Sequence, residues 1–353
     1  MTSDRRSSVY DTSSTSNASS SVVDRILAIG DLHYKTTNIR ESKELEVELI
    51  RIIQEQDPKF VVLLGDTLDK HENIHPNPLK RAVKFIKRVA SMKPVFLLIG
   101  NHDRPNNEDF LSEYHPFVGL EDHYNITIVS DIVMFDNYLF VPYVYPGRFM
   151  EAILTKKSKG NSKVHCIFAH QEFYGAEYGA VSKKGDKWDL SYPYIVSGHI
   201  HKFQQLQANI LYTGTPMQQT FDEEPDKSIS MITITDGIVS HERIFVKVTT
   251  KITVTCESLT QEITDQILQL SLSHIVRVKI TGAHSDQKAQ SYYIRILRKN
   301  NVKVVNEIDK KIVTQKLSMR STACSGSSSF NDILMNLISN DPQMISVYKE
   351  LCD

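Results

Sequence analysis

Residues 60–69 read Phe60-Val61-Val62-Leu63-Leu64-Gly65-Asp66-Thr67-Leu68-Asp69: an apolar run closed by glycine and a carboxylate. The same grammar appears on either side. Arg25 to Gly30 leads into Asp31-Leu32-His33, and Val95 to Ile99 leads into Gly100-Asn101-His102-Asp103. Apolar runs this short, with no polar alternation, suit strands buried on both faces of a covered sheet. Between them lie helical patterns. Leu45, Leu49, Ile50 and Ile53 share one helix face, ending near Asp57-Pro58, and Ala82, Val83, Phe85, Ile86 and Val89 share another. Strand, helix, strand, helix, strand predicts an α/β arrangement with its site at the carboxyl edge of the sheet.

Further along, Ile126–Val129, Ile132–Phe135 and Tyr138–Val141 are short strand candidates separated by turn residues. Val164–Ala169 leads into His170, and Tyr194–Ser197 into Gly198-His199-Ile200-His201. Ile210–Tyr212, Ile229–Thr235 and Ile238–Val248 continue the β pattern, the last two turning at Asp236-Gly237. The motifs stop near Thr249. Beyond it, Lys251–Thr255, Ile275–Ile280 and Tyr292–Leu297 alternate like strands around a helical stretch near 260–272, predicting a small α+β domain. The division expected is a disordered Ser/Thr-rich tail at 1–22, a catalytic domain at 23–248, a second domain at 249–319, and a linker with helices at 320–353. In that last stretch Ile333, Leu334, Leu337 and Ile338 make an apolar stripe suited to packing on its own domain or docking into a partner.

Composition narrows the class. A net charge of -1 advertises no global basic field for nucleic acid, although basic residues cluster locally in Lys80-Arg81, Lys84, Lys87-Arg88 and in Lys156-Lys157, Lys159, Lys163. No run approaches the roughly 18 apolar residues a membrane span needs. The polar N-terminus carries no apolar signal core, so the expected setting is intracellular, in cytoplasm or nucleus, and the sequons at Asn17 and Asn125 carry no weight. The cysteines, Cys166, Cys256, Cys324 and Cys352, are scattered without a paired spacing, which excludes a zinc ribbon and a disulfide framework as organising devices.

The five motifs mix carboxylate, imidazole and amide, a donor set for Mn²⁺, Fe²⁺ or Zn²⁺. Two such ions, roughly 3.5–4 Å apart, can generate hydroxide and stabilise both oxygens of a phosphoester displacement. Holding them that close requires a bridging carboxylate. The ordered set Asp31-Leu32-His33, Gly65-Asp66-Thr67-Leu68-Asp69, Gly100-Asn101-His102-Asp103, His170 and Gly198-His199-Ile200-His201 resembles the calcineurin-like metallophosphoesterase superfamily. Within it the chain is similar to the SbcD-type nucleases of double-strand-break repair, over roughly Ile26 to Phe221 and through the segment Tyr212-Thr213-Gly214-Thr215-Pro216.

That resemblance implies a four-layer α/β/β/α metallophosphoesterase sandwich with a small α+β capping domain and C-terminal helices. It implies two divalent metal ions, Mn²⁺ foremost. Asp31, His33 and His201 would hold the first, Asn101, His170 and His199 the second, with Asp66 bridging. His102 would sit beside the scissile phosphate, and Asp103 would orient it. Asp69 stands where some relatives carry a second histidine; His71 and His75 lie nearby without an assigned role. Protein phosphatases and purple acid phosphatases fit less well, because Asp69 occupies the position of a distinguishing residue and the third motif ends in Asp103. The activity implied is Mn²⁺-dependent 3′-to-5′ exonuclease on double-stranded DNA and single-strand endonuclease. An SbcC-type SMC-like ATPase would be the partner, and a homodimer would form around Pro78 to Val89 and the loop after His102. A small-molecule or nucleotide diesterase is the competing expectation. A metal-binding scaffold without turnover is a further alternative that no residue favours.

Overall fold

The computed structural model describes residues 23–70, 73–157, 164–178, 180–282 and 287–306. The tail at 1–22, His71, and the linker and helices at 320–353 lie outside the described residues. Two compact units divide the chain at Thr249/Thr250.

In chain order the first unit contains β1 (Val23–Ile29), α1 (Ile39–Gln56), β2 (Phe60–Leu63), α2 (Pro76–Ala90), β3 (Val95–Leu98), β4 (Ile126–Val129), β5 (Val133–Phe135), β6 (Tyr138–Val141) and α3 (Phe149–Lys157). Then come β7 (Cys166–His170), β8 (Glu177–Tyr178), β9 (Ala180–Val181), β10 (Tyr194–Gly198), β11 (Gln204–Gln207), β12 (Ile210–Tyr212), β13 (Ser228–Thr235) and β14 (Ile238–Phe245). One large sheet has the order β14-β13-β1-β2-β3-β4 and the other β11-β12-β10-β7-β6-β5. β1 to β4 of the first sheet and β6, β7, β10 and β12 of the second run parallel, as the unalternated apolar runs suit, while β13 joins β1 antiparallel.

Strand parity builds the layers. Ile26 and Ala28 point one way from β1, with Phe60 and Val62 beside them, into a core shared with Phe140, Phe168, Val196 and Leu211 of the other sheet. Leu27 and Ile29 point the opposite way, onto Leu45, Leu49 and Ile53 of α1 and Phe85, Ile86 and Val89 of α2. The second sheet repeats the device: Leu139, Ile167 and Ile195 face Phe149, Ala152 and Ile153 of α3. The result is the four-layer α/β/β/α sandwich. At its centre Phe140 stacks between Phe96 (ring centroids 4.1 Å, planes 5° apart) and Phe168 (5.3 Å, 15°).

The helices start and stop where their sequences say. α1 ends because Asp57 turns left-handed (φ 46°) ahead of Pro58. α2 opens on Pro76, with His75 Nδ1 accepting from the Asn77 N–H at 3.2 Å, and closes on Lys87 and Arg88. Its apolar stripe is spent on its own sheet, so only its polar, basic face is left for a partner.

The second unit holds β15 (Lys251–Cys256), α4 (Gln261–Leu270), β16 (Ile275–Ile280), α5 (Gln287–Lys299) and β17 (Lys303–Asn306). Its three strands are parallel, and Val276, Val278 and Ile280 pack with Ile267 and Leu297. Here one expectation is corrected. Tyr292–Leu297 is helical, not a strand, because Tyr293, Ile294 and Leu297 fall on one face at helical spacing. The third strand is instead Lys303–Asn306.

Candidate functional site

The parallel register sets the strand ends level. Ile29 pairs with Leu63, Leu63 with Leu97, and Gly198 with His170, so residues just past these strands gather at one edge of the sandwich. Asp31, His33, Asp66, Asn101, His170, His199 and His201 all arrive there from both sheets. The turns that deliver them are tight. His33, Asp66 and His199 have left-handed backbones, with φ of 45°, 46° and 79°, a region L-residues occupy sparingly outside functional turns. The motif glycines serve close approach. A Cβ on Gly100 would lie 2.2 Å from the Asp66 nitrogen and 2.3 Å from its Oδ1.

Two donor groups emerge, and Asp66 belongs to both. Asp31, His33 and Asp66 bring ligand atoms within 4.8 Å of one another, as do Asp66, His170 and His199. His201 joins the first, its Nε2 facing His33 Nε2 at 3.0 Å. Asn101 joins the second: its Oδ1 lies 3.0 Å from His170 Nε2 and 2.9 Å from His199 Nδ1. Asp66 Oδ1 is 3.3 Å from His170 Nε2, while its Oδ2 is 3.8 Å from His33 Nε2. One carboxylate thus presents one oxygen to each group. Facing ring nitrogens and buried carboxylates make a poor protein interior unless a cation joins them. The donor set fits divalent metal.

In the metal-free protein the charges settle accordingly. Burial works against the charge on His170, but Asp66 and Asp31 outweigh it and push its imidazole up to about 9. Burial would raise Asp66, yet His170, His33 and His102 hold it well below the carboxylate range. Burial pushes Asp31 up. His199 is pushed down to about 3 by burial and by His170 beside it, and His33 is also lowered by burial. One imidazolium is thus trapped between carboxylates where a metal belongs.

His102 and Asp103 follow Asn101. The ring of His102 is 32% exposed, more open than buried Asp31, His33, Asp66 and His170, which leaves it accessible to a substrate. Its Nδ1 sits 2.8 Å from the Asp69 carbonyl, so that nitrogen carries the proton and Nε2 faces inward, 3.9 Å from Asp66 Oδ2. The orienting group is therefore the Asp69 carbonyl. The Asp103 carboxylate accepts three backbone N–H bonds instead, from Thr67 at 3.0 Å, Leu68 at 2.8 Å and Gly100 at 3.2 Å. Burial, with Asp66 nearby, pushes it up to about 7 despite those bonds. It laces the second motif to the third.

Several neighbours carried no signal in the sequence. Glu223 Oε1 lies 3.3 Å from His201 Nδ1, and nothing in the acidic stretch around it marks that role. Tyr143 packs its ring 6.1 Å from that of His170 and 5.8 Å from that of His199. It follows β6, whose parallel pairing with β7 ends at the same edge, a position that could have flagged it. The segment after Tyr212 lies under the site: the Thr215 N–H donates to the His201 carbonyl at 3.1 Å, and a Cβ on Gly30 would meet the Gly214 carbonyl at 2.1 Å. A cleft of about 630 Å³ opens beside His201, lined by Tyr178, Lys202, Phe203, Glu223 and Arg243 among others. Tyr178 sets its ring edge-on to His201 at 5.8 Å.

The family model for calcineurin-like phosphoesterases matches residues 24–203. "Putative phosphoesterase 244L" of Invertebrate iridescent virus 6 is 41% identical over 231 residues, covering 63% of this chain and 80% of that protein. "Putative phosphoesterase 078R" of Invertebrate iridescent virus 3 is 39% identical over 228 residues, covering 63% of this chain and 66% of its own length. Among solved structures, a Pseudomonas putida nuclease MPE is similar at 15% identity and a TM-score of 0.32, over 59% of this chain and 83% of that one. With the family model spanning the motifs that build the donor cluster, the chain belongs to the calcineurin-like phosphoesterases.

Proposed function

We propose that this protein is a two-metal phosphodiesterase whose substrate is DNA, acting with Mn²⁺ as a 3′-to-5′ exonuclease on double-stranded ends and as a single-strand endonuclease. The observation that carries the two-metal reading is the pair of donor groups sharing Asp66. Asp31, His33 and His201 would hold one ion, Asn101, His170 and His199 the other. Bound there, the ions supply an activated water and the positive charge that the phosphorane-like transition state demands. The chain's own part follows from geometry. Asp66 fixes the spacing of the two positions, and its Oδ1 also accepts the His102 backbone N–H at 2.8 Å, tying the catalytic residue to the bridge. His102, with Nδ1 committed to Asp69, directs Nε2 at the reacting phosphate, where as imidazolium it protonates the leaving oxygen or steadies its charge.

DNA is favoured by the likeness to SbcD-type nucleases, carried by the ordered motifs and by Tyr212-Thr213-Gly214-Thr215-Pro216. The same reading includes a homodimer and an SMC-like ATPase of the SbcC type bound through residues 320–353. Removing residues 325–353 is then expected to spare Mn²⁺-dependent cleavage of short DNA and abolish ATPase binding in a pull-down. A second reading, a small nucleotide diester as substrate, is favoured by the cleft beside His201, whose volume of about 630 Å³ and aromatic rim suit a single nucleoside.

The deciding experiment is cleavage of end-labelled double- and single-stranded DNA with Mn²⁺, beside bis-p-nitrophenyl phosphate, for the wild type and His102→Ala. Loss of 3′ label that disappears in the variant supports the nuclease. Hydrolysis of the generic diester with DNA untouched, both alone and with the ATPase, overturns it for the second reading.

A further inference from the structure

The two halves of the centre are backed differently. His33 and His201 turn their Nε2 atoms toward each other at 3.0 Å, which points both Nδ1 atoms outward. Behind His201 Nδ1 stands the Glu223 carboxylate at 3.3 Å. Behind His33 Nδ1 stands Asp69 Oδ1 at 3.7 Å. Each carboxylate is in turn held by a lysine. Lys227 Nζ reaches Glu223 at 2.7 Å and also donates to Thr215 Oγ1 at 2.9 Å, while Lys35 Nζ reaches Asp69 at 3.0 Å. The other half is built otherwise: His170 Nδ1 bonds the neutral carbonyl of Leu64 at 2.6 Å, and the carboxylate nearest that nitrogen, Asp31 Oδ1 at 3.4 Å, is itself a donor of the first group and not a separate support.

Ligation explains why this matters. A ring that gives its Nε2 lone pair to a cation must carry its proton on Nδ1, and that buried N–H needs an acceptor. His33 Nδ1 has no hydrogen-bond partner among the described residues. The Asp69 carboxylate, less than about 1 Å beyond hydrogen-bond distance, is placed to take that proton's bond. A carboxylate acceptor makes the imidazole a stronger donor to the cation than a carbonyl does.

We propose that Asp69 and Glu223 are positioning residues that selectively strengthen the metal position formed by Asp31, His33 and His201, with Lys35 and Lys227 fixing their orientation. This rests on the two-metal reading above. It gives the aspartate at position 69 a task of its own. Its carbonyl orients His102 and its side chain supports His33, so one residue serves both the metal and the acid.

The test counts Mn²⁺ bound to the full chain, by the electron paramagnetic resonance of free Mn²⁺ and by calorimetry, for wild type, Asp69→Asn and Glu223→Gln. Each substitution keeps an acceptor oxygen and removes the charge, and Asp69→Asn leaves the carbonyl that holds His102. Each is expected to weaken one class of bound ion by about 10–100-fold and leave the other unchanged, a selectivity that a general loss of stability, such as Glu223→Gln causes by stripping buried Lys227 of its counter-charge, would not produce. Unchanged affinity in both variants, or an equal loss at both positions, overturns the proposal. If the wild type binds a single Mn²⁺, the two-metal reading falls, and the proposal then stands or falls on whether these variants weaken that ion. Should one variant fail to fold, the other decides.

Discussion

His102 and Gly100 separate chemistry from assembly at single positions. His102 contributes no donor to either metal group, so His102→Ala should keep the wild-type Mn²⁺ stoichiometry in calorimetry while turnover falls by about 10²–10⁴-fold, the range for a lost general acid. Gly100→Ala should lose both. Its methyl would sit 2.2 Å from the Asp66 nitrogen, displacing the shared carboxylate, so metal binding fails along with activity. Retained Mn²⁺ affinity in that variant would show the turn can relax. At this scale most of the site was legible, because each ligand directly follows an apolar run that had to end somewhere. Glu223 was not: it acts through His201, across the fold, and its neighbours Asp222 and Glu224 look alike in the sequence. The partners of Asp103 were illegible for a related reason. Three backbone N–H groups leave no trace in side-chain identity.

Elements were read best where both faces are buried. β2, β3 and the Ile26–Ile29 half of β1 announce themselves because every position there is buried and apolar, and β7 does so as far as Ala169. β11 gave no such signal: Gln204, Gln205 and Gln207 occupy a sheet edge, where pairing geometry and not burial makes the strand. α5 was misread because a segment exposed on one side and packed on the other satisfies both periods over a few residues. The strands meet energetically in the aromatic stack. Phe140 is fully buried between Phe96 and Phe168, so Phe140→Ala should cost about 3–5 kcal/mol in urea unfolding, by lost contacts and residual cavity. A loss below 1 kcal/mol would mean the two sheets close over the gap.

For the whole molecule, stability should depend on pH through His115. Burial lowers its affinity for protons, and Glu121 at 3.3 Å only partly opposes this. The unfolded chain therefore binds that proton more readily than the folded one. The stabilising contribution is full above the ordinary histidine value, about 6.5, and is lost as pH falls toward the lowered folded value. His115→Asn keeps an acceptor for the Phe117 N–H, which His115 Nδ1 now receives at 3.2 Å. It should flatten the decline in unfolding free energy between pH 7.5 and 5.5, and an identical decline in the variant would assign the acid sensitivity elsewhere. Among the described residues no helix is long and apolar enough to cross a membrane.

The donors come from the ends of two different sheets, and this has a mechanical side. Asp31, Asp66 and Asn101 hang from one sheet, His170 and His199 from the other. An ion held by both is a rivet through the seam of the sandwich. Where the apolar core grips the sheets along their faces, the rivet grips them at the lip, the place where the seam would otherwise begin to peel. Catalytic readiness and resistance to opening are then one property, loaded and unloaded together.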